Sequence, residues 1–435
     1  RRNHPFLPQT FFKCLSITLF TTIGWVILWA VTVIAIVIVD AFWISRPAIP
    51  RGDLTTIENY LVQNLSQPGK PKFGSAALIL IQKGDVVATH SFGVANAEKN
   101  SPVEVARPLY QMASVSKLVT AWGVMKLVEN GTIALDKPAN QYLKRWKFPV
   151  SQYSGQVTVR HLLSHTGGLE DLFGYTGFLP GESIQSLEES LTLTQDATSG
   201  KPRGVTVTRE PGQHWLYSGG GYTVLQLLIE DVTHQSFSDY MEQAILHPLG
   251  IEDSSFAWEA IAISGRTDQL ATSFDENLQP SHQRRYTATA AASLYATPQD
   301  MARFVQAYSQ KNLVLQPETL KQMMQPQPGA RQDWGLGHTL YVASGTGEYV
   351  VGHDGLNLPA LGHTVRVNPA TGNGIVLLIS GNVGLASQLG DDWVYWETGK
   401  LPMNAKFRVL GSRLMPALVA IGLGALAIII WALRN

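Results

Sequence analysis

The chain has 435 residues, and its 33 Lys and Arg side chains balance its 33 Asp and Glu side chains, so the formal net charge at pH 7 is zero. Charged residues make up only 15% of the sequence, which excludes a protein that binds nucleic acid by neutralising phosphates. The single cysteine excludes an internal disulfide framework and a zinc site built from cysteines.

The first and last predicted elements are membrane-spanning helices. Residues 14–39 contain no charged side chain, and this run exceeds the roughly 20 residues that a helix needs to cross a bilayer. It is too long for a signal peptide, so we predict an uncleaved anchor over 14–44 after an N-terminal flank at 1–13. A second charge-free run, 414–433, predicts a C-terminal transmembrane helix over 411–435. A buried core helix remains the alternative for each run, and the flanking charges do not decide the orientation.

The segment between these runs, residues 45–410, is predicted to be one domain. Its two ends carry β-rich runs, and its centre carries helical periodicity. This order predicts an α/β (α+β) fold, in which an antiparallel sheet built from both ends of the domain is flanked by helices and carries a helical insertion subdomain. The predicted strands are 75–82, 86–92, 361–367 and 374–380, the predicted helices are 53–66, 115–130, 219–233, 236–246 and 298–310, and the predicted surface loops are 174–181 and 199–204.

The pattern that best indicates chemistry is Ser114-x-x-Lys117 at the start of a predicted helix. This spacing places the lysine amine one helical turn from the serine hydroxyl. The helix N-terminus adds partial positive charge, which favours an alkoxide and the oxyanion that follows its attack. A lysine serves as a base only where desolvation or another cation lowers its pKa. The alternative, a serine that caps the helix beside an exposed lysine, stays open at this point.

An ordered series of further motifs surrounds this pattern. They are VRHLLSHTGGL (159–169), PG (211–212), YSGGGY (217–222), PLGI (248–251), AASLYAT (291–297), WGLG (334–337) and GHDG (352–355). Together with Ser-x-x-Lys, this series resembles the serine β-lactamase and penicillin-binding-protein superfamily, in its class C β-lactamase-like branch. The resemblance extends from about residue 73 to residue 382, which is most of the predicted domain.

The resemblance implies a role for each motif residue. Ser114 is the implied nucleophile, and Lys117 is its base or proton relay. Tyr217 matches the tyrosine of the second motif, Tyr-x-Asn, and would pass the proton from the nucleophile to the leaving group. A core aromatic remains the alternative for this tyrosine. His353 matches the His-x-Gly form of the third motif and would line the site.

The same resemblance implies that the backbone N–H groups of Ser114 and Leu356 form an oxyanion hole, with Gly355 allowing close approach. Two positions depart from the family pattern. Gly219 replaces the asparagine of the second motif, so no side chain there binds a substrate amide or steadies the lysine. His353 replaces a lysine, which removes an obligatory cation for a substrate carboxylate. Both changes favour an esterase, or a peptidase acting on a different amide, over an efficient β-lactamase.

No metal and no cofactor are expected. The resemblance assigns His161 and His165 to a structural loop, and the other histidines lack the spacing of metal ligands. No serine lies in a G-x-S-x-G segment, which excludes an α/β-hydrolase site.

We therefore predict a membrane-anchored serine hydrolase that forms an acyl-enzyme on Ser114, with Lys117 and Tyr217 as base. It would cleave an ester or an amide, as an esterase or a D-amino-acid- or peptide-type peptidase. Its expected partners are a small-molecule, peptide or lipid-linked acyl substrate and the lipid bilayer, whereas its oligomeric state is not predicted. The resemblance suggests the bacterial cytoplasmic membrane, with the catalytic domain on the extracytoplasmic, periplasmic side. The alternative, favoured by Gly219, is a penicillin-recognising sensor or scaffold with little turnover.

Overall fold

The computed structural model describes residues 9–40, 49, 52–66, 72–170, 174–309, 312, 314–345 and 347–434, and describes the side chains of the terminal helices from residue 21 and up to residue 431. The predicted flank at 1–13 lies for the most part outside these residues, as does the predicted end of the anchor at 41–44. The described residues form two compact units: one from the chain ends, up to 48 and from 401, and one from 49–400.

The strands of the larger unit are numbered along the chain. They are β1 (Ser75–Gln82), β2 (Asp85–Asn96), β3 (Ser101–Pro102), β4 (Tyr110–Gln111), β5 (Leu169–Glu170), β6 (Thr206–Val207), β7 (Ser273–Phe274), β8 (Pro280–Ser281), β9 (Tyr295–Ala296), β10 (Thr339–Ala343), β11 (Tyr349–Asn357), β12 (Leu361–Asn368) and β13 (Asn373–Ser380).

The main sheet joins the two ends of the unit. Among the described residues it has seven strands in the order β10-β11-β12-β13-β1-β2-β3. Strands β1 and β13 are antiparallel neighbours, with Ser75 opposite Ser380 and Ile81 opposite Gly374. The β1–β2 and β12–β13 hairpins are those that the β-rich runs and the short turns between them predict. This topology confirms the predicted antiparallel sheet built from both ends of the domain.

The helices are also numbered along the chain. They are α1 (Gln9–Val39), α2 (Leu54–Leu65), α3 (Val115–Glu129), α4 (Val159–Leu163), α5 (Leu187–Leu193), α6 (Gly219–Thr233), α7 (Phe237–Met241), α8 (Trp258–Ile263), α9 (Thr289–Ala292), α10 (Pro298–Gln306), α11 (Pro317–Met323), α12 (Leu385–Thr398) and α13 (Met403–Arg434).

Two helices, α3 and α6, form the centre of the helical part. Both are buried over most of their length, and α3 packs against α6, against α9 and against strand β11. Helix α6 begins where the Ser218 side chain accepts a hydrogen bond from the Gly221 N–H (2.7 Å), which satisfies one of the free amides of its first turn. The helix predicted over 236–246 is shorter: α7 ends at Met241 and a π-helical turn follows it over Glu242–Leu246.

The smaller unit contains the two apolar helices of the chain ends. Helices α1 and α13 pack against each other: the Trp29 indole N–H donates to the Ala420 carbonyl (3.3 Å), and Arg413 pairs with Asp40 (3.0 Å). Both helices are long and apolar enough to cross a membrane, judged by length and composition alone. Their described side chains are mostly exposed, unlike those of a buried core helix.

Candidate active site

Ser114 occupies a constrained turn immediately before α3. The preceding residue, Ala113, has a φ of +47°, in the left-handed region that is unfavourable for a residue with a Cβ. Two hydrogen bonds of Ser116 hold this turn: its hydroxyl donates to the Ala113 carbonyl (2.6 Å) and accepts from the Leu294 N–H (3.0 Å). The turn therefore fixes where the Ser114 hydroxyl lies, as a positioned nucleophile requires.

The Ser114 hydroxyl contacts the amine of Lys117. The Lys117 Nζ lies 3.2 Å from the Ser114 Oγ and also donates to the Ala291 carbonyl oxygen (2.8 Å). Lys117 is only 2% exposed, and the Ser114 side chain makes no capping hydrogen bond to its helix. This arrangement differs from the alternative of a capping serine beside an exposed lysine. The Ala291 carbonyl also provides an anchor for the amine that does not depend on a side chain at Gly219.

Tyr217 lies beside the same amine. The Lys117 Nζ is 5.1 Å from the centroid of the Tyr217 ring, and that ring is half-buried. The ring also contacts His165, with centroids 4.4 Å apart. The Nδ1 of His165 accepts a hydrogen bond from the Ser218 N–H (3.1 Å), which ties the loop of His165 to the residue after Tyr217. Burial, with a smaller contribution from the nearby Lys117, holds the pKa of His165 well below its usual value, so its ring is neutral.

His353 contributes a neutral ring rather than a charge. Its Nδ1 lies 2.6 Å from the Asp354 carbonyl oxygen, so this nitrogen is the one that carries the proton. Burial, and then the nearby charge of Lys117, lowers the pKa of His353 to about 4. The Nε2 is consequently an acceptor, and it is buried with no hydrogen-bond partner among the described residues. The ring lies next to Tyr217, with centroids 6.3 Å apart.

The third-motif strand approaches the start of α3 closely. A Cβ built on Gly355 would lie 2.5 Å from the Met112 carbonyl oxygen and 3.1 Å from the Val115 Cγ2, so only glycine fits here. Strand β10 pairs with β11 only as far as Gly352, which leaves the following residues of β11 without a β10 neighbour. Backbone of the third motif therefore lies against the turn that carries Ser114, while the Leu356 side chain is 51% exposed.

A buried ionic cluster lies on the opposite face of this strand. The fully buried Arg366 of β12 bonds both carboxylate oxygens of Asp354 (3.1 Å each) and one of Asp391 on α12 (2.5 Å). The Tyr341 ring packs 3.8 Å from the guanidinium, and its hydroxyl donates to Asp354 (3.0 Å). Because Asp354 stands between His353 and Gly355, the cluster fixes the strand that carries both.

The space beside Gly219 is filled by Tyr175. A Cβ built on Gly219 would lie 3.0 Å from the Tyr175 Cε2, closer than is usual for such contacts. The sequence predicts 174–181 as a surface loop, but this is wrong for two of its aromatic side chains, since Tyr175 and Phe178 are 8% and 6% exposed. The ring of Tyr175 thus lies against the point from which a second-motif asparagine side chain would start.

Two further histidines make structural contacts, and one of them, His161, is among those predicted to do so. The His161 Nδ1 accepts from the Thr158 N–H (3.2 Å) at the start of α4. The buried His363 accepts from the Ile379 N–H (3.2 Å) and bonds the Gln111 carbonyl oxygen (3.0 Å), which ties the main sheet to β4. Within the part of the chain that the structure describes, no His, Cys, Asp and Glu side chains are grouped as metal ligands would be.

Sequence reasoning missed four residues around the site: Ala291, which anchors the lysine, His165, which contacts the tyrosine, Tyr175 and Arg366. The absence of an asparagine side chain at Gly219 was a signal for Ala291 and Tyr175. Without that side chain, another group must anchor the Lys117 amine, and another must fill the space beside Gly219. The motif series did include Ala291 and His165, but the one-dimensional pattern did not indicate which group they contact.

Residues 61–400 match the protein family described as Beta-lactamase, and since this match covers most of the chain, the chain belongs to that family. It confirms the resemblance found in the motifs and is consistent with the serine hydrolase class predicted from them.

Curated relatives include a penicillin-binding protein and an esterase. The chain is 30% identical over 181 residues to Penicillin-binding protein 4* of Bacillus subtilis (strain 168), covering 41% of this chain and 37% of that protein. It is 27% identical over 190 residues to Esterase EstB of Burkholderia gladioli, covering 42% of this chain and 46% of that protein. The chain thus spans less than half the length of either relative.

Solved structures share the fold over a larger part of the chain. The octameric penicillin-binding protein homologue from Pyrococcus abyssi has a TM-score of 0.64 at 24% identity, covering 81% of this chain and 78% of that chain. The D-amino acid amidase from Ochrobactrum anthropi SV3 has a TM-score of 0.61 at 22% identity, covering 82% and 99%. At these identities the likeness is one of fold.

Proposed function

We propose that the chain is a serine hydrolase that forms an acyl-enzyme on Ser114. The observation that carries this proposal is the buried Lys117 amine 3.2 Å from the Ser114 hydroxyl. In its neutral form the Lys117 amine accepts the proton of the hydroxyl, directly or through the Tyr217 hydroxyl, as the hydroxyl oxygen attacks the acyl carbon. The same groups return a proton to the leaving group, and water then releases the acyl group from Ser114.

The backbone next to the nucleophile supplies the electrostatic part of the proposal. We assign the oxyanion hole to the N–H groups of Ser114 and Leu356, which the close packing of Gly355 on Met112 brings into one region. The positive end of the α3 dipole adds to this stabilisation.

An ester, or an amide without a recognition carboxylate, is the proposed substrate class. His353 is neutral and presents a lone pair, so it gives no cation for the carboxylate of a penicillin or a peptide. Gly219 gives no amide for an acylamino group. The named relatives, a penicillin-binding protein, an esterase and an amidase, supply the range of reactions from which we select esterase or peptidase activity.

Membrane anchoring through α1 and α13 is part of the proposal. Their exposed apolar side chains suit contact with lipid, and their mutual packing through Trp29 and the Arg413–Asp40 pair suits a helical hairpin. We propose the bacterial cytoplasmic membrane, with the larger unit on the extracytoplasmic side, where an anchored hydrolase would reach small-molecule, peptide or lipid-linked substrates. Carbonate extraction that releases the chain from membranes, or a larger unit shielded from protease outside spheroplasts, would contradict this.

A fluorophosphonate probe tests the proposed chemistry. In the full chain purified in detergent, the probe should label the wild type and should not label Ser114→Ala. Ser199→Ala removes an exposed serine hydroxyl far along the chain and should label like the wild type. Equal labelling of the Ser114→Ala and wild-type proteins would overturn the proposal.

Steady-state kinetics distinguish the proposed hydrolase from the alternative, a penicillin-recognising sensor or scaffold with little turnover. Gly219 favours it, because a missing asparagine side chain weakens the steadying of the lysine, whereas the Ala291 carbonyl bond favours a working enzyme. A burst of p-nitrophenol equal to the enzyme concentration, without later turnover, supports the sensor. Sustained release supports the hydrolase.

A further inference from the structure

The ring of Tyr175 lies so close to Gly219 that it sterically restricts the side chain at that position. A Cβ at residue 219 would meet the Tyr175 Cε2 at 3.0 Å and the Gly174 Cα at 3.3 Å. Contacts this close make the neighbour move by a few tenths of an ångström for a methyl group alone. Any side chain at 219, asparagine included, therefore requires the Tyr175 ring or the Gly174 backbone to shift.

The ring is held in place by its own contacts. Its hydroxyl lies 2.6 Å from the Thr223 Oγ1, and Thr223 in turn donates to the Gly219 carbonyl (3.2 Å), so the tyrosine hydroxyl is the donor of the first bond. The backbone is held too, because Tyr175 forms a β-bridge with Ala197. Tyr175 is therefore tied to the first turn of α6 rather than lying loosely against it.

This filled space is next to the proposed catalytic groups. Gly219 follows Tyr217 by two residues, and the Tyr217 ring lies 5.1 Å from the Lys117 amine. A side chain at 219 would therefore project from the turn that carries Tyr217. Where an asparagine would offer an amide that donates and accepts hydrogen bonds, the edge of the Tyr175 ring lies over the backbone of this turn.

We propose that Tyr175 is a specificity-determining residue, whose ring beside Gly219 takes the place of the second-motif amide and makes the site select plain acyl esters over acyl groups that carry an amide. The proposal rests on the proposed hydrolase function. An acylamino group bound beside Gly219 loses its hydrogen bonds to water and finds no amide partner there, which disfavours it.

Two p-nitrophenyl esters with the same leaving group measure this selection: the butyrate and the N-acetylglycinate. The double variant Tyr175→Ala with Gly219→Asn makes room for the amide and supplies it. Its ratio of kcat/KM for the N-acetylglycinate over the butyrate should rise about two- to ten-fold relative to the wild type, the range expected for one hydrogen bond. Tyr175→Phe keeps the ring and loses only the hydroxyl, so it should keep the wild-type ratio.

An unchanged ratio in a double variant that still reacts with the fluorophosphonate overturns the proposal. An equal rise in Gly219→Asn alone also overturns it, since the ring would then not exclude the amide. Tyr175→Ala provides a second test that needs no new side chain at 219: its kcat/KM for a branched pivalate ester, relative to the butyrate, should rise, and no rise contradicts the proposal. Absence of probe labelling on wild-type Ser114 is a different result, which overturns the hydrolase function itself.

Discussion

Replacing Arg366 with methionine should destabilise the larger unit by about 3–5 kcal/mol, the usual cost of removing one partner from a buried ion pair. Arg366 is fully buried and bonds Asp354 and Asp391, so its loss leaves both carboxylates without their cation. With an unfolding entropy of about 2.1 cal/mol/K per residue over about 350 residues, the melting temperature should fall by about 4–7 °C.

The pKa of Asp354 determines how the stability lost in Arg366→Met changes with pH. Burial alone would raise the pKa of Asp354, but the charge of Arg366 and hydrogen bonds from Thr364 and Tyr341 outweigh it and hold the pKa below its usual value. In the wild type, the resulting stability is present at neutral pH and is lost only as the pH falls through that lowered pKa. In Arg366→Met, burial acts without the cation, so the pKa of Asp354 should be raised and protonation should stabilise the fold.

The measurement is therefore the difference in melting temperature between the wild type and Arg366→Met, followed by scanning calorimetry from pH 8 to pH 5. This difference should shrink as the pH falls. Arg203→Met is the matched control, since Arg203 is half-exposed and pairs with an exposed Glu170, and it should cost less than about 1 kcal/mol. A variant of Arg366 as stable as this control, or a difference that grows in acid, would refute the reasoning.

Three further predictions concern the site. Lys117→Met should lower the rate of acylation by about 10²- to 10⁴-fold, as loss of a general base does, while stopped-flow labelling that stays within threefold of the wild type would contradict the role. Gly355→Ala should abolish probe labelling, since its Cβ meets the Met112 carbonyl oxygen at 2.5 Å, whereas Gly155→Ala, with open space around it, should label normally. The pKa of His353 is lowered to about 4, so its ring stays neutral above pH 5.5. The pH profiles of acylation of the wild type and of His353→Gln should therefore agree near pH 6.5, and a step there in the wild type alone would contradict this.

The sheet and the nucleophile pair were predictable because their signals are local. β-rich runs bounded by turn residues identify β1, β2, β12 and β13, and a sheet that buries such runs must join them. Ser-x-x-Lys at a helix start fixes the separation of two side chains through the helical turn alone, which is why the 3.2 Å contact of Ser114 with Lys117 follows from spacing.

The groups that complete the site come from distant segments, and periodicity does not indicate which segment meets which. Ala291 and Lys117 are 174 residues apart in the chain. Tyr175 lies in a stretch whose glycines and proline favour a surface loop, yet its ring is buried because the missing side chain at Gly219 leaves room for it. Arg366 lies on the face of β12 opposite to Val365 and Val367, which alternation would leave to solvent. It is nevertheless fully buried, and its charge is stable there only because two carboxylates meet it.

The central claim is covalent acylation at one serine, and time-resolved intact-mass spectrometry with an aryl ester measures it most directly. After mixing, the wild-type chain should gain the mass of one acyl group within the first turnover and lose it again as substrate is exhausted, and peptide mapping should locate the adduct on Ser114. Ser114→Ala should gain no mass. An adduct on another residue, or none on the wild type while the ester is being hydrolysed, would contradict the claim.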